Sequence, residues 1–148
     1  MRTNDDLRAE YLLLQGQYED FDKRAISLKG LATPLLGAGI AVGLNEKSWP
    51  ILAAAILIAL SLWLLEAIWK NFQYCNSDRI HEIEGWYRGE GSDELAPFQV
   101  FASWNEAWRR HYRRPSSLLR VAAQPFVFLP YAPIVLLSSM SWAWIAGR

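Results

Sequence analysis

The sequence has little of what a catalytic or metal site needs, with one cysteine and two histidines among 148 residues. A lone Cys75 cannot close an internal disulfide, so a disulfide-stabilised scaffold is excluded. No G-x-S-x-G, phosphate-loop or H-E-x-x-H motif is present. The sequence therefore predicts no enzyme activity, no cofactor and no metal centre. Cys75 is predicted to be a small packing residue.

An excess of charge of one sign is also missing, because 15 Lys and Arg residues balance 15 Asp and Glu residues. Without an overall positive field, nucleic acid is not predicted as a partner. Charge is absent altogether from residues 30–45, 48–65 and 121–147. A helix needs about 20 apolar residues to cross a hydrocarbon core about 30 Å thick. The sequence thus predicts an all-α integral membrane protein.

The order of these stretches predicts a single membrane domain in four parts, since one domain takes roughly 100–200 residues. A cytoplasmic helix at 1–24, whose pattern continues to residue 29, precedes a two-span hairpin at 25–69. Cytoplasmic helices at 70–117 follow; the second span continues to about Arg88, and an amphipathic helix covers 97–113. The last part, 118–147, contains Pro125, Pro130 and Pro133. Prolines remove backbone donors, which favours one kinked crossing over a broken, partly re-entrant segment.

The N-terminal helix repeats apolar residues about every 3.5 positions, a spacing typical of helices that pack on another helix. The residues of this stripe are Leu7, Tyr11, Leu14, Tyr18 and Phe21. Glu10 is predicted to lie on the polar side of the same helix. The partner of the stripe is either a helix of the same chain or a second copy.

The first span is rich in small residues and contains the pair Gly39 and Gly43. Such G-x-x-x-G pairs let helix backbones approach closely in lipid. The pair therefore packs either against the second span of the same chain or against another copy in a homo-oligomer.

Two further features admit two interpretations each. Glu66 lies at the edge of the second span, either as an ion-pair partner of Lys70 at the headgroup level or as a carboxylate at a pore mouth. A stripe of aromatic residues follows in the 97–113 helix and either packs on the preceding helix or binds a partner. Its members are Phe98, Phe101, Trp104, Trp108 and Tyr112.

The densest charge cluster consists of Arg109, Arg110, Arg113 and Arg114, shortly before the last uncharged run. Anionic lipid headgroups attract basic residues at such positions. The first interpretation is therefore contact with membrane lipid. A site for an anion or a phosphorylated ligand is the second, because arginine forks suit phosphate.

The distribution of basic residues predicts the orientation in the membrane. Residues 70–120 carry eight Lys and Arg and residues 1–29 carry five, whereas the turn at 45–48 carries one. Because basic residues stay cytoplasmic, the N-terminus is predicted inside and the turn outside. The acidic N-terminal segment does not resemble a signal peptide. We expect a multi-pass protein of the cell inner membrane.

This layout resembles the SLATT-type two-span membrane effectors of bacterial defence systems. The resemblance rests on the helix from Leu7 to Leu28, the hairpin at 25–69 and the helix continuing to Arg88, about 60% of the chain. It implies a self-associating protein that breaches the inner membrane in antiviral defence when a partner senses infection.

Two functional hypotheses follow. The first is a self-associating membrane protein that forms a pore or channel. The alternative is a non-catalytic membrane anchor or accessory subunit, which recruits a soluble partner through residues 70–115.

Overall fold

The computed structural model describes residues 4–90 and 95–147, and the regular elements among them are all helical, as predicted. Two long helices are followed by four short ones. In chain order the α-helices are α1 (Asn4–Asn45), α2 (Trp49–Tyr87), α3 (Val100–Ala107), α4 (Pro115–Ala122), α5 (Pro125–Phe128) and α6 (Tyr131–Ala146). A π-helical turn, Trp108–Tyr112, continues α3.

Helix α1 joins the predicted N-terminal helix and the first span into one uninterrupted element of 42 residues. Asp5 and Asp6 lie in its first turn, where acidic side chains favour the helix dipole. Pro34 lies inside the helix without ending it. A short turn joins α1 to α2, with the Ser48 N–H donating to the Gly43 carbonyl at 2.8 Å.

Helix α2 continues beyond the second span to Tyr87, within one residue of the predicted end. The turn after it contains Gly89, whose φ of 77° is a conformation that glycine adopts without strain. The Glu90 N–H donates back to the Gly85 carbonyl at 2.8 Å, so the last carbonyls of α2 are partly satisfied. The predicted break continues over Gly91 and Ser92, which lie outside the described residues.

The contacts divide the described chain into two compact units. The polar unit comprises residues 4–23, 69–90 and 95–118, and the apolar unit comprises residues 24–68 and 119–147. The cuts fall within about six residues of the ends of the uncharged stretches. Both long helices pass from one unit into the other.

The core of the polar unit lies between α1 and α2. Leu7 and Leu14 form one buried cluster with Ile80 and Ile83, and Tyr11 and Tyr18 pack against it. The heptad stripe of α1 therefore finds its partner within the same chain. Phe21 is half-buried.

The apolar unit has a core of its own. It consists of Leu36 from α1, Ala55 and Ala59 from α2, and Ile134 from α6. Gly43 of α1 lies against Leu52 of α2. These contacts make α1 and α2 an antiparallel hairpin against which α6 packs.

Helices α1 and α2 are long and apolar enough to cross a membrane. Within the chain only 11% and 28% of their most apolar windows are buried, so most of this surface is uncovered. A core helix of a soluble protein would be mostly covered. Helix α6 is apolar but has only 16 residues, or about 24 Å at 1.5 Å per residue.

The last uncharged run forms three pieces rather than one kinked helix. Helix α4 ends at Ala122, α5 covers four residues from Pro125, and α6 begins after Pro130. The breaks coincide with the residues that have no backbone N–H. Within the described residues the run thus has the broken form, while its relation to a bilayer stays a prediction.

Candidate functional site

An open groove of about 480 Å³ lies in the polar unit between α2 and the segment formed by α3 and the π-turn. Asp78 and Glu82 line it from α2, while Glu106, Arg110 and His111 line it from the other side. His111 Nε2 lies 3.4 Å from Asp78 Oδ2 across the groove. Acidic and basic side chains therefore alternate along an accessible surface.

Aromatic packing holds α3 and the π-turn on α2. The Phe72 ring contacts the rings of Trp104 and Trp108 at centroid distances of 5.7 and 5.4 Å. The Trp104 indole N–H donates to the Phe72 carbonyl at 3.2 Å, and Tyr112 lies against Tyr74. Three members of the predicted aromatic stripe are therefore packing residues.

The other two members of the stripe point away from this packing. The side chains of Phe98 and Phe101 are 64% and 79% exposed. The stripe thus consists of three residues packed on α2 and two exposed residues, Phe98 and Phe101.

Arg79, which lines the groove, forms a buried ion pair with Glu10 of α1. Arg79 Nε and Nη2 donate to Glu10 Oε1 and Oε2 at 2.8 and 3.1 Å, and both side chains are at most 3% exposed. The prediction that Glu10 lies on the polar side of α1 is therefore wrong. It faces the interior because Arg79 of α2 supplies a fork that matches a carboxylate.

The same pair fixes the turn that leads into α3. Arg79 Nη2 also donates to the Ala96 carbonyl at 2.6 Å, and the Phe98 N–H donates to Glu10 Oε2 at 2.6 Å. Phe98 has a φ of 60°, a strained conformation for an aromatic residue. Such strain persists where the surroundings over-determine it, and here the Glu10 carboxylate holds the backbone.

The described lining of the groove offers charged and hydrogen-bonding side chains of both signs. Among residues 4–90 and 95–147, no three His, Cys, Asp or Glu side chains are grouped so that they could hold a metal ion. Cys75 is fully buried and donates to the Asn71 carbonyl at 3.2 Å, which confirms it as a packing residue. Burial and the nearby Asp78 raise the pKa of its thiol to about 12, so the reactive thiolate is suppressed.

The predicted arginine cluster lies on the surface of the polar unit. Arg109, Arg110, Arg113 and Arg114 are all exposed. Arg110 pairs with Glu106, one turn earlier. The other three form no ion pair with any carboxylate of the described residues.

Glu66 in the apolar unit has a partner that the sequence pattern did not predict. Its Oε1 lies 2.7 Å from Lys29 Nζ, and the Glu66 side chain is 4% exposed. The Lys29 ammonium also lies 5.9 Å from the centre of the Tyr131 ring. The carboxylate proposed for a pore mouth therefore engages a cation of its own chain.

Side chains of the hairpin also satisfy carbonyls of the broken segment. Lys29 Nζ donates to the Phe126 carbonyl, which loses its usual helical donor because residue 130 is proline. The Trp63 indole N–H donates at 2.9 Å to the carbonyl of Ala122, the last residue of α4. In hydrocarbon, irregular backbone is tolerated where such donors exist.

The two glycines of the G-x-x-x-G pair differ in their surroundings. A Cβ atom added at Gly43 would lie 2.8 Å from Leu52 Cδ2, whereas one added at Gly39 would meet nothing within 4 Å. The close approach at Gly43 is therefore a contact between the two spans of one chain. Gly39 makes no comparable approach in the single chain.

Sequence reasoning missed both buried ion pairs, although a usable signal existed for one of them. Lys29 and Glu66 directly border two neighbouring uncharged stretches, 30–45 and 48–65, and they have opposite signs. For Glu10 and Arg79 the signal was weak, since many other charged residues occupy the same helices.

No family model, no curated protein and no solved structure matches this chain. The resemblance to the SLATT-type effectors therefore rests on the layout of the helices alone and stays a prediction.

Proposed function

We propose that this chain is a non-catalytic membrane anchor that recruits a soluble protein to the cytoplasmic face of the inner membrane. The apolar unit would lie in the bilayer, and the polar unit would present its groove to the partner. The observation that carries this proposal is the charged groove, whose lining includes Arg79 of the buried ion pair with Glu10.

The membrane part of the proposal draws on the surface of the apolar unit. Leu31, Leu35, Leu57 and Leu136 are each more than 60% exposed. Uncovered apolar surface of this extent marks an interaction with lipid or protein. Leu31, Leu35 and Leu57 lie on the two helices that are long and apolar enough to cross a membrane.

The groove suits a protein partner because charges of both signs remain accessible along it. The side chains of Glu82 and Glu106 are 51% and 67% exposed, and that of Arg110 is 60% exposed. Alternating charges contribute specificity and association rate at protein interfaces. The uncovered Phe101 supplies the kind of aromatic anchor in which binding energy concentrates.

Orientation is tested by labelling with a membrane-impermeant maleimide in a Cys75→Ser background. Single cysteines replace Glu46 at the hairpin turn and Ser103 at the groove. In intact spheroplasts we expect Glu46→Cys to react and Ser103→Cys to react only after permeabilisation. Labelling of Ser103→Cys from outside would overturn the orientation, and release of the protein by alkaline carbonate would overturn insertion.

Recruitment is tested with a photo-crosslinking amino acid at Ser103 in the full-length protein. We expect one discrete protein adduct, which Glu82→Lys combined with Glu106→Lys abolishes. The same crosslinker at the exposed Gln17 of α1 is the matched control and should give no adduct of that mass. Equal adducts from both positions would contradict a specific groove.

A second candidate function, a self-associating pore or channel as in the defence effectors, draws on a different face of α1. Gly30, Gly37 and Ala41 share a helical face and are exposed. A Cβ atom would meet nothing within 4 Å at either glycine. Small residues on an uncovered helix face permit close approach of a second helix in lipid.

The mass of the purified protein in mild detergent, measured by light scattering, separates the two candidates. A closed ring that Gly37→Leu disperses, while Gly39→Leu leaves it intact, would favour self-association, and conductance would be measured next. A monomer would leave the anchor as the better account.

A further inference from the structure

We propose that the outer face of the π-turn binds the phosphate groups of anionic phospholipid headgroups through Arg109, Arg113 and Arg114. This inference goes beyond recruitment of a protein partner. It rests on the membrane insertion included in the proposed function.

The π-turn and its C-terminal cap place Arg109 and Arg113 on one surface, and the exposed Arg114 follows directly in the sequence. Its defining bond runs from the Arg113 N–H to the Trp108 carbonyl at 2.9 Å. The Trp108 and Tyr112 rings contact α2, so both residues face inward. Arg109 and Arg113 each follow one of these inward residues and are both exposed, so they share one accessible face.

Within the part of the chain that the structure describes, no carboxylate forms an ion pair with these three arginines. Glu106, which pairs with Arg110, is the last acidic residue of the sequence. From Ala107 to the end, the sequence contains six arginines and no Asp or Glu. Arginine presents a planar fork of donors that matches the oxygens of a phosphate.

The position of the face favours a lipid phosphate over a soluble one. Arg109, Arg113 and Arg114 lie on the open surface, and none of them lines the groove. Few residues separate Arg114 from Val121, where the last uncharged run begins. An extended chain covers at most about 3.6 Å per residue, so Arg114 stays within about 25 Å of that run. The exposed Leu119 lies between them.

The experiment measures lipid selectivity of the full-length protein in phosphatidylcholine vesicles. Spin-labelled phosphatidylglycerol and spin-labelled phosphatidylcholine are compared by the fraction of label that the protein immobilises. We expect wild type to prefer phosphatidylglycerol by at least about fivefold, the contribution of one arginine at the headgroup level. In Arg109→Gln/Arg113→Gln/Arg114→Gln the ratio should fall towards one.

A matched variant removes three exposed charges elsewhere in the polar unit. Arg8→Gln/Lys23→Gln/Arg88→Gln should keep the wild-type selectivity. A wild-type ratio near one would overturn the proposal, and so would an equal loss of selectivity in both triple variants.

A soluble source of phosphate is examined separately. Inorganic pyrophosphate is titrated into the protein in neutral detergent by calorimetry. Binding that depends on the three arginines, without lipid selectivity in vesicles, would overturn the lipid assignment in favour of a soluble anion site. Carbonate extraction reports on insertion independently, so failure of the lipid site is distinguishable from failure of the membrane anchor.

Discussion

Lys29 and Glu66 form an ion pair of 2.7 Å between the two long helices of the apolar unit. Lys29 directly precedes the uncharged stretch 30–45, and Glu66 directly follows the uncharged stretch 48–65. A charge in such surroundings is costly unless it is paired and hydrogen-bonded. The pair therefore stabilises the hairpin, and removal of one partner should destabilise it.

We expect Lys29→Met to destabilise the protein by about 3–5 kcal/mol, because it removes the ammonium group that the buried Glu66 carboxylate contacts. Lys29→Met combined with Glu66→Met should recover most of this loss, since buried ion pairs replaced by apolar residues are often neutral. Unfolding in mild detergent by added denaturing detergent measures the difference.

Lys23→Met is the control for this pair. Lys23 pairs with Glu19 and Asp20 on the exposed surface of α1, and its loss should cost less than about 1 kcal/mol. If the double variant at positions 29 and 66 is as unstable as Lys29→Met, the contribution of Lys29 to stability does not come from its ion pair with Glu66.

Glu10→Gln should release the turn that leads into α3. The variant removes the negative charge that the buried Arg79 faces and weakens the acceptor of the Phe98 N–H. We expect a loss of about 3 kcal/mol or more and faster hydrogen exchange at the Phe98 amide. Glu82→Gln removes the half-exposed partner of Arg79 and should leave this exchange rate nearly unchanged.

The two glycines of the first span should respond in opposite directions to alanine. Gly43→Ala places a Cβ atom 2.8 Å from Leu52 Cδ2, and such overpacking costs about 1–3 kcal/mol. Gly39→Ala meets open space and should stabilise the helix by up to about 1 kcal/mol. Thermal unfolding in detergent compares them, and Leu52→Ala should reduce the cost at Gly43.

Cys75 should react with a disulfide reagent at pH 8 roughly a thousandfold more slowly than an ordinary thiol, because its thiolate is that much rarer. Burial raises its pKa from 9.0 to about 12, so the folded state favours the neutral thiol. This contribution to stability is present below pH 9 and is lost as the pH rises towards 12. Cys75→Ala should not show this loss of stability at alkaline pH. Rapid reaction of the native protein with the reagent would contradict a buried, neutral Cys75 thiol.

The fold was largely predictable where hydrophobic periodicity controls local structure. The heptad of α1 indicated a packed helix, and the uncharged stretches indicated two long apolar helices. Periodicity does not identify the partner of a stripe, so the choice between a second copy and α2 of the same chain required the tertiary contacts.

The sequence predicted that the last segment is interrupted, but not where its helices begin and end. Its prolines indicated interruption, yet the positions of α4, α5 and α6 depend on donors from other helices. Trp63 and Lys29 provide those donors from residues far away in sequence. No local pattern reports such a pairing.

The candidate site was the least predictable part. The sequence indicated residues 70–115 as an accessible region, but the groove exists because α3 returns onto α2 through the Phe72 and Trp104 contact. Glu10 was assigned to the wrong face because a charged residue beside a heptad is normally solvated, and here Arg79 compensates its burial.

The donors that Ala122 and Phe126 require, Trp63 and Lys29, both precede the broken segment in the chain. The hairpin is therefore synthesised before the carbonyls of Ala122 and Phe126, which accept hydrogen bonds from it. In a bilayer, those carbonyls would meet only hydrocarbon if the segment entered alone. The helices that supply the hydrogen-bond donors are thus synthesised first. The hairpin is then already present to bind the last segment when that segment is made.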